Sequence, residues 1–316
     1  MFKNVTTLTE FILEEESKFP QATGNFTLLM TLIENATKII GSHIKKAGLV
    51  DILGQTGGTN VYEEEVQKLD VFSNDLLVNI LSSSNLVSTI ASEELEKPIR
   101  LKNKGHYAIF FDPLDGSSNI DTNVSIGTIF SIYKNSGNYL QKGSQQVAAG
   151  YVVYGSSIMF VYTSGSGVNG FTLDPSIGSF LLSHPNIRIP EKGSTYSINE
   201  GYFEMFDIKV KNYISSLKKE KKYKLRYVGS MVADIHRTLL KGGIFLHPAD
   251  FKNAQGKLRL MFEVNPMSFI VNQAGGKSIS GTADPLEITP TSVHQRTPIV
   301  LGSSQEIDKY LSSIKS

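Results

Sequence analysis

The residues of this chain that could do chemistry are acids. Asp112 and Asp115 stand three apart in the run FFDPLDGSSNID, directly after the apolar Tyr107–Phe111. Glu93 and Glu94 follow the apolar Leu86–Ala91, and Asp70 opens a helical pattern just after Glu63, Glu64 and Glu65. Glu263 follows the amphipathic Leu258–Phe262. Taken singly, each has an ordinary place as a turn residue or helix cap. The segment from Asp112 to Ser118 asks for more. Pro113 fixes its own φ and biases Asp112 toward an extended conformation, so the spacing predicts a stiff turn with two carboxylates close together. Like charges about 4 Å apart repel by roughly 4 kcal/mol at an effective dielectric of ~20. Such a pair needs a cation or a raised pKa. All-oxygen ligands without cysteine or clustered histidine suit Mg²⁺ or Mn²⁺ better than zinc. Gly116-Ser117-Ser118-Asn119 then presents successive backbone N–H groups as a phosphate cradle. Acids of this kind beside such a cradle suit metal-assisted phosphoryl transfer.

The elements that must position these groups are legible around them. From Phe26 to Lys46 apolar residues recur at helical spacing, and a second helix is expected from about Lys68 to Ser82. Leu86–Ala91, Tyr107–Phe111, Thr128–Tyr133, Tyr151–Tyr154 and Ile158–Tyr162 read as strands. Between Ser183 and Thr195, two prolines and a glycine with few apolar residues mark a boundary near 189. Two domains are therefore expected, 1–189 and 190–316. The lysine-rich Lys218–Lys224 reads as the solvated end of a helix starting near Phe206.

Composition excludes several classes of function. The 316 residues carry 31 basic and 30 acidic side chains, a net charge of +1, so no field points to nucleic acid or an acidic membrane. With no cysteine, disulfides, thiolate nucleophiles and Cys–zinc sites are ruled out. The N-terminal MFKNVTTLTEFILEEESK lacks the basic and apolar regions of a signal peptide and no stretch is long enough to span a bilayer, so a cytoplasmic location is expected.

The longer context narrows the chemistry. DPLDGSSNID with SEE upstream resembles the metal site of the lithium-sensitive sugar and inositol phosphatases. With TNVYEEEVQKLDVFSNDLL, NEGY at Asn199–Tyr202, RYVGSMVADIHRTL at Arg226–Leu240, GGIF at Gly242–Phe245 and the run Gly256–Met267, the chain resembles class I fructose-1,6-bisphosphatase from about Thr7 to Leu301. The resemblance implies a layered α/β/α/β/α fold, an N-terminal allosteric half carrying most metal ligands, a C-terminal catalytic half, and a homotetramer. It implies a gluconeogenic hydrolase that releases the 1-phosphate of fructose 1,6-bisphosphate with Mg²⁺, or Mn²⁺. Glu93 and Asp112 would bridge two metals, Asp115 and Glu263 would complete one site, and the Leu114 carbonyl the other. Glu64 falls where the family usually has an aspartate on a mobile loop. Asp70 and Glu94 would orient and deprotonate the attacking water. Asp115, Gly116, Ser117 and Ser118 would line the 1-phosphate. Asn199, Tyr202, Tyr227, His247 and Lys257 would hold the sugar and 6-phosphate, with Arg226 reaching in from a neighbouring subunit.

Departures from the family pattern are informative too. His247 stands where a tyrosine is common, and Leu53 where mammalian members have the tyrosine that locks the mobile loop near Gly54, Gly57 and Gly58. The AMP-binding positions read Thr23-Gly24-Asn25, His106-Tyr107 and Lys134, with Thr23, Gly24, Tyr107 and Lys134 as the contacts. Their cationic groups are weaker than the family's, so weak AMP inhibition or a different effector is expected. A sedoheptulose-selective or relaxed bisphosphatase stays open because of His247, and so does a non-catalytic sugar-phosphate sensor, although the acids are all present. Three motifs are decoys. Gly165–Gly170 matches GxGxxG but precedes a strand, so a hairpin loop is expected there. Gly276-Lys277-Ser278 lacks the upstream glycine of a P-loop, and His236 reads as a packing residue on an apolar helix.

Overall fold

The computed structural model describes residues 5–46, 61–103 and 105–315, with the backbone alone for 61–68. Two sheets organise it. The first has eight strands, β1 (Val87–Ser92), β2 (Ile99–Arg100), β3 (Tyr107–Asp115), β4 (Ile126–Lys134), β5 (Gln146–Tyr154), β6 (Ile158–Thr163), β7 (Val168–Asp174) and β8 (Ser179–Ile187), in the order β2-β1-β3-β4-β5-β6-β7-β8. All neighbours are antiparallel except β1 and β3. The second has five, β9 (Thr195–Ser197), β10 (Lys224–Leu225), β11 (Ile244–His247), β12 (Lys277–Ile279) and β13 (Ile299–Gly302), in the order β10-β9-β11-β13-β12. The helices are α1 (Leu8–Ser17), α2 (Asn25–Ile44), α3 (Val61–Ser82), α4 (Ile208–Lys219), α5 (Met231–Lys241), α6 (Asn265–Gln273) and α7 (Ser304–Lys315).

Alternation along the strands sorts these elements into layers. Phe111, Phe130, Val152 and Phe160 face α1–α3 and pack on Leu8, Ile12, Leu29, Ile33, Ile40 and Leu81. Their neighbours Ile129, Tyr151 and Val161 face the other way, onto Val232 and Ile235 of α5, Met267 and Ile270 of α6, and Phe245 and Leu301 of the second sheet. The far side of that sheet, with Tyr196, Ile244, Leu246 and Val300, is covered by Val210, Tyr213 and Leu217 of α4 and Ile307 and Tyr310 of α7. The result is the expected α/β/α/β/α stack. Burial on both faces explains why β4 and β5 read as unbroken apolar runs instead of alternating ones.

Local chemistry fixes the ends. Thr7 and Glu10 form a capping box at α1, in which the Glu10 carboxylate accepts from the Thr7 N–H at 2.8 Å. Just before it, the Leu182 N–H donates to the Thr6 carbonyl at 2.9 Å, and Thr7 bridges Leu181, so the N-terminal arm lies along β8, the last strand of its sheet. Residues 164–167 join β6 to β7 as a hairpin loop, with 168–170 already in β7, and Lys277-Ser278 opens β12. His236 meets the Tyr151 hydroxyl at 2.9 Å, and burial followed by the nearby His184 lowers its pKa to about 4, as suits a packed neutral ring.

Two expectations change. α3 begins at Val61, well before Lys68, so Asp70 lies inside a helix of 22 residues instead of opening one. Glu63–Glu65, Gln67 and Lys68 favour helix without supplying an apolar stripe, so periodicity alone could not show them. The proposed turn at Asp112–Asp115 is part of β3. Asp112 pairs with Ile129 and Asp115 with Gly127, one residue too many on the β3 side, which makes a bulge. Pro113, which has no N–H to give a ladder, is tolerated at such a place. Gly127 is required opposite the bulge, because a Cβ there would lie 2.6 Å from three atoms of Val232. Gly127→Ala should therefore cost about 1–3 kcal/mol in urea unfolding, and pairing it with Val232→Ala should recover part of that loss.

Candidate active site

The bulge is what aims two acids at one place. Asp112 and Asp115 come from β3, and Glu263 from a π-helical turn, Leu260–Val264, that runs directly into α6. Oxygens of all three carboxylates lie within 4.8 Å of one another, and all three residues are buried. The π turn was invisible to a search for helical or strand periods, since its wider ring shifts Glu263 off both registers.

Each carboxylate is held from behind. Asp115 accepts from the Ser230 hydroxyl at 2.6 Å, the Val232 N–H at 2.9 Å and the Met231 N–H at 3.1 Å, and so sits on the N-terminus of α5, where the helix dipole favours negative charge. Asp112 accepts from the Leu114 N–H at 3.0 Å. Glu263 accepts from the Arg259 N–H at 2.6 Å. Burial still dominates. It raises Asp112 well above the usual range, reinforced by Asp115 and Glu263, and it raises Asp115 against the pull of its three donors. Glu263 is pushed from 4.5 to about 7 by burial, its Arg259 bond opposing.

Around this trio lie the other predicted acids. Glu93 is outside it, and its carboxylate pairs with the Arg259 guanidinium. Its backbone is fixed beside β3 by an N–H bond to the Phe111 carbonyl at 3.0 Å. Glu94 is exposed next to it. Asp70 reaches in from α3, and its pKa rises to about 7, through burial first and Glu94 second, against a hydrogen bond with Ser117. The side chain of Glu64 and residues Leu53, Gly54, Gly57 and Gly58 lie outside the described residues.

Gly116 leaves the bulge at φ 78° and caps a short 3₁₀ turn, Ser117–Asn119, whose leading N–H groups have no acceptor within the turn. A Cβ at Gly116 would lie 2.7 Å from the Ser230 Cβ, so only glycine lets the cradle sit against α5. Ser118 is exposed, and the Asn119 amide donates to the Val228 carbonyl at 3.3 Å, tying the cradle to the Tyr227 loop.

The predicted sugar-side residues also converge. Lys257 Nζ lies 3.8 Å from the Tyr202 ring centroid and 3.6 Å from Asp250. Asn199, Tyr202, Asp234 and Asp115 are all near enough to shift Tyr227, whose pKa is raised chiefly by burial. His247 is lowered to about 4 by burial and then by Lys257, so a neutral ring faces the ammonium. Arg226 is exposed and donates to the Leu225 carbonyl at 3.0 Å. Thr23 and Gly24 stand exposed at the start of α2, while Tyr107 and Lys134 face each other across β3 and β4. Thr27 in the first turn of α2 donates to Glu16.

Sequence reasoning missed Ser230, Arg259 and Asp250. Ser230, a serine just before an apolar helical run, carried a capping signal that was available. Arg259 sat in plain view in the alternating Lys257-Leu258-Arg259-Leu260, but nothing local says that its two ends grip two different acids.

Comparison with known proteins decides the family. Models of the fructose-1-6-bisphosphatase N-terminal and C-terminal domains match residues 6–185 and 189–315. Fructose-1,6-bisphosphatase class 1 of Persephonella marina is 56% identical over 97% of this chain and 98% of its own length, and that of Sulfurihydrogenibium sp. is 55% identical over 98% of both. The chain belongs to the class I fructose-1,6-bisphosphatase family. Among solved structures, Leishmania major fructose-1,6-bisphosphatase in its holo form superposes with a TM-score of 0.91 at 46% identity, over 99% of this chain and 100% of that one. The T-state form of the same enzyme gives 0.90 at 45% identity. The layered stack is thus the fold of fructose-1,6-bisphosphatases.

The buried acids of this fructose-1,6-bisphosphatase site make its stability depend on pH. A carboxyl whose folded pKa lies above its unfolded value contributes stability in full below the unfolded pKa and loses it as pH rises through the folded one. For Glu263 that window runs from 4.5 to about 7. The EDTA-treated protein should therefore lose Tm between about pH 5 and pH 8, and Mg²⁺ should raise Tm more at the higher pH. Thermal melts at both pH values, with and without Mg²⁺, check this.

Proposed function

We propose that the chain hydrolyses the 1-phosphate of fructose 1,6-bisphosphate to fructose 6-phosphate and inorganic phosphate, and that its acidic cluster holds the divalent cations this needs. One observation carries the proposal: three buried carboxylates within 4.8 Å, beside a turn of free N–H groups. Three carboxylates of raised pKa in one buried space are a donor set for a hard cation, and their all-oxygen character suits Mg²⁺, or Mn²⁺. When bound, such an ion neutralises phosphate oxygens and makes water easier to deprotonate.

The chain's own residues do the rest. Asp112, Asp115, Glu263 and the Leu114 carbonyl would be the ligands of such an ion, and Glu93, which pairs with Arg259 through Oε1, would complete the set. Asp70, poised at about 7, and Glu94 take the proton of the attacking water. The oxygen of that water bonds to phosphorus as the bond from phosphorus to the C1 oxygen breaks, and the proton returns to the departing alkoxide. The Gly116–Ser117 amides steady the phosphate, while Asn199, Tyr202, Tyr227, His247 and Lys257 hold the sugar and its 6-phosphate.

The same proposal assigns substrate binding to 190–316 and effector binding to the N-terminal half. Exposed Arg226 serves the site of an adjoining subunit, in a tetramer. AMP contacts Thr23, Gly24, Tyr107 and Lys134, weakly, because Glu16 places a carboxylate at the α2 N-terminus where a phosphate would sit. No helix among the described residues is long and apolar enough to cross a membrane, and a cytoplasmic setting belongs to the proposal.

Asp112→Asn should abolish phosphate release from fructose 1,6-bisphosphate while leaving the circular-dichroism spectrum intact; activity within a few-fold of wild type removes the metal-site assignment. Hybrids of Asp112→Asn with Arg226→Ala subunits should regain activity that neither parent has in full, and hybrids that form but stay inactive rule out the shared arginine.

A further inference from the structure

His294 touches two arms of the acidic site at once, although it belongs to neither. It lies in the stretch that leads into β13, in backbone register with the segment before the π turn. The Leu260 N–H donates to the Gln295 carbonyl at 2.7 Å, the Thr297 N–H to the Leu258 carbonyl at 3.0 Å, and Arg259 bridges Arg296. That ladder fixes where the ring can point. From it, the half-buried imidazole places Nε2 2.8 Å from the carbonyl oxygen of Leu95, 199 residues away in the chain. A carbonyl can only accept, so Nε2 carries the proton. The ring also tilts over Phe262, with centroids 5.4 Å apart at 45°.

Both contacts adjoin proposed metal-site residues. Leu95 closes the turn after β1, its N–H bonded to the Ser92 carbonyl at 3.2 Å, and Glu93 and Glu94 are the two residues inside that turn. Phe262 directly precedes Glu263 and is fully buried, packed on Phe110 of β3 in a cluster that includes Ala91 and Val293. The other device that joins these arms is Arg259, which grips the Glu93 carboxylate itself. Arg259 holds Glu93 through the charge of its side chain, so that grip changes with whatever else the carboxylate binds. His294 acts on a backbone carbonyl that is no ligand, and its hold persists whichever partner Glu93 takes.

We propose that His294 is a positioning residue that clamps the Glu93–Glu94 turn to the Glu263 segment, and thereby sets the divalent-cation affinity of the site without touching cation or substrate. The proposal rests on the metal-dependent phosphatase function above. Groups that orient ligands from behind typically contribute ten- to a hundredfold in metal affinity.

The test uses Mn²⁺ alone, titrated into the full-length protein without substrate and followed by electron paramagnetic resonance. Two variants separate the ring from the bond. His294→Phe keeps an aromatic ring over Phe262 but has no donor, and His294→Gln keeps an N–H that can reach Leu95. His294→Phe should weaken Mn²⁺ binding about ten- to a hundredfold and speed hydrogen exchange at the Glu93–Leu95 amides, with KM for fructose 1,6-bisphosphate unchanged at saturating Mg²⁺. His294→Gln should recover most of the affinity. Wild-type affinity in a folded His294→Phe protein overturns the clamp and leaves the phosphatase assignment standing, as does an equal loss in both variants. Wild-type protein that binds no Mn²⁺ overturns the phosphatase assignment and the clamp with it.

Discussion

Negative charge crowded into a buried space is the constraint on which this architecture turns. Asp112, Asp115 and Glu263 bring their oxygens within 4.8 Å where water cannot screen them, and burial raises the pKa of all three. A fold can tolerate that only if the acids are held by rigid elements and some opposite charge is near. Both conditions are visible. The acids stand on a strand bulge and a π turn, two deviations that regular secondary structure does not supply, and the N-terminus of α5 points its free N–H groups at Asp115. The site's strain in charge is thus matched by irregularity in backbone.

How much of this the sequence could tell depends on the range of the interaction. The strands around Phe111, Phe130, Tyr151 and Phe160 were legible because two-sided burial writes apolar runs of strand length. The nearness of Asp112 to Asp115 was legible because a short spacing around a stiff proline suggests it, although it is the bulge that turns both acids to one place. What failed was geometry that no local rule contains. The bulge needs β4 as a partner to define the extra residue, so the segment read as a turn. The first turns of α3 carry no apolar stripe in the sequence, so periodicity does not mark where the helix starts. Arg259 and His294 act on residues far away in the chain, and a lone basic or aromatic side chain carries no mark of its distant partner. The family resemblance supplied roles for the sugar-side residues that spacing could not.

Around Lys257 the arrangement keeps one cation alone. Lys257 lies over the Tyr202 ring and near Asp250, while the imidazole of His247 is neutral beside it. A second cation at that spot would repel the first, and burial has kept His247 from becoming one. The lysine is therefore a single point charge in an aromatic setting, free to turn toward a phosphate without breaking a tight ion pair.

The arm before α1 has a consequence of a different kind. Thr6 and Thr7 lie along β8, whose outer edge would otherwise offer a row of unpaired N–H and C=O groups to solvent. Exposed strand edges are templates on which other chains add, and native proteins cover them. Two threonines and a capping box thus close the part of that edge at Leu181 and Leu182 to an added strand. Engineering at this end, whether trimming or the fusion of a tag, bears on colloidal behaviour before it bears on catalysis.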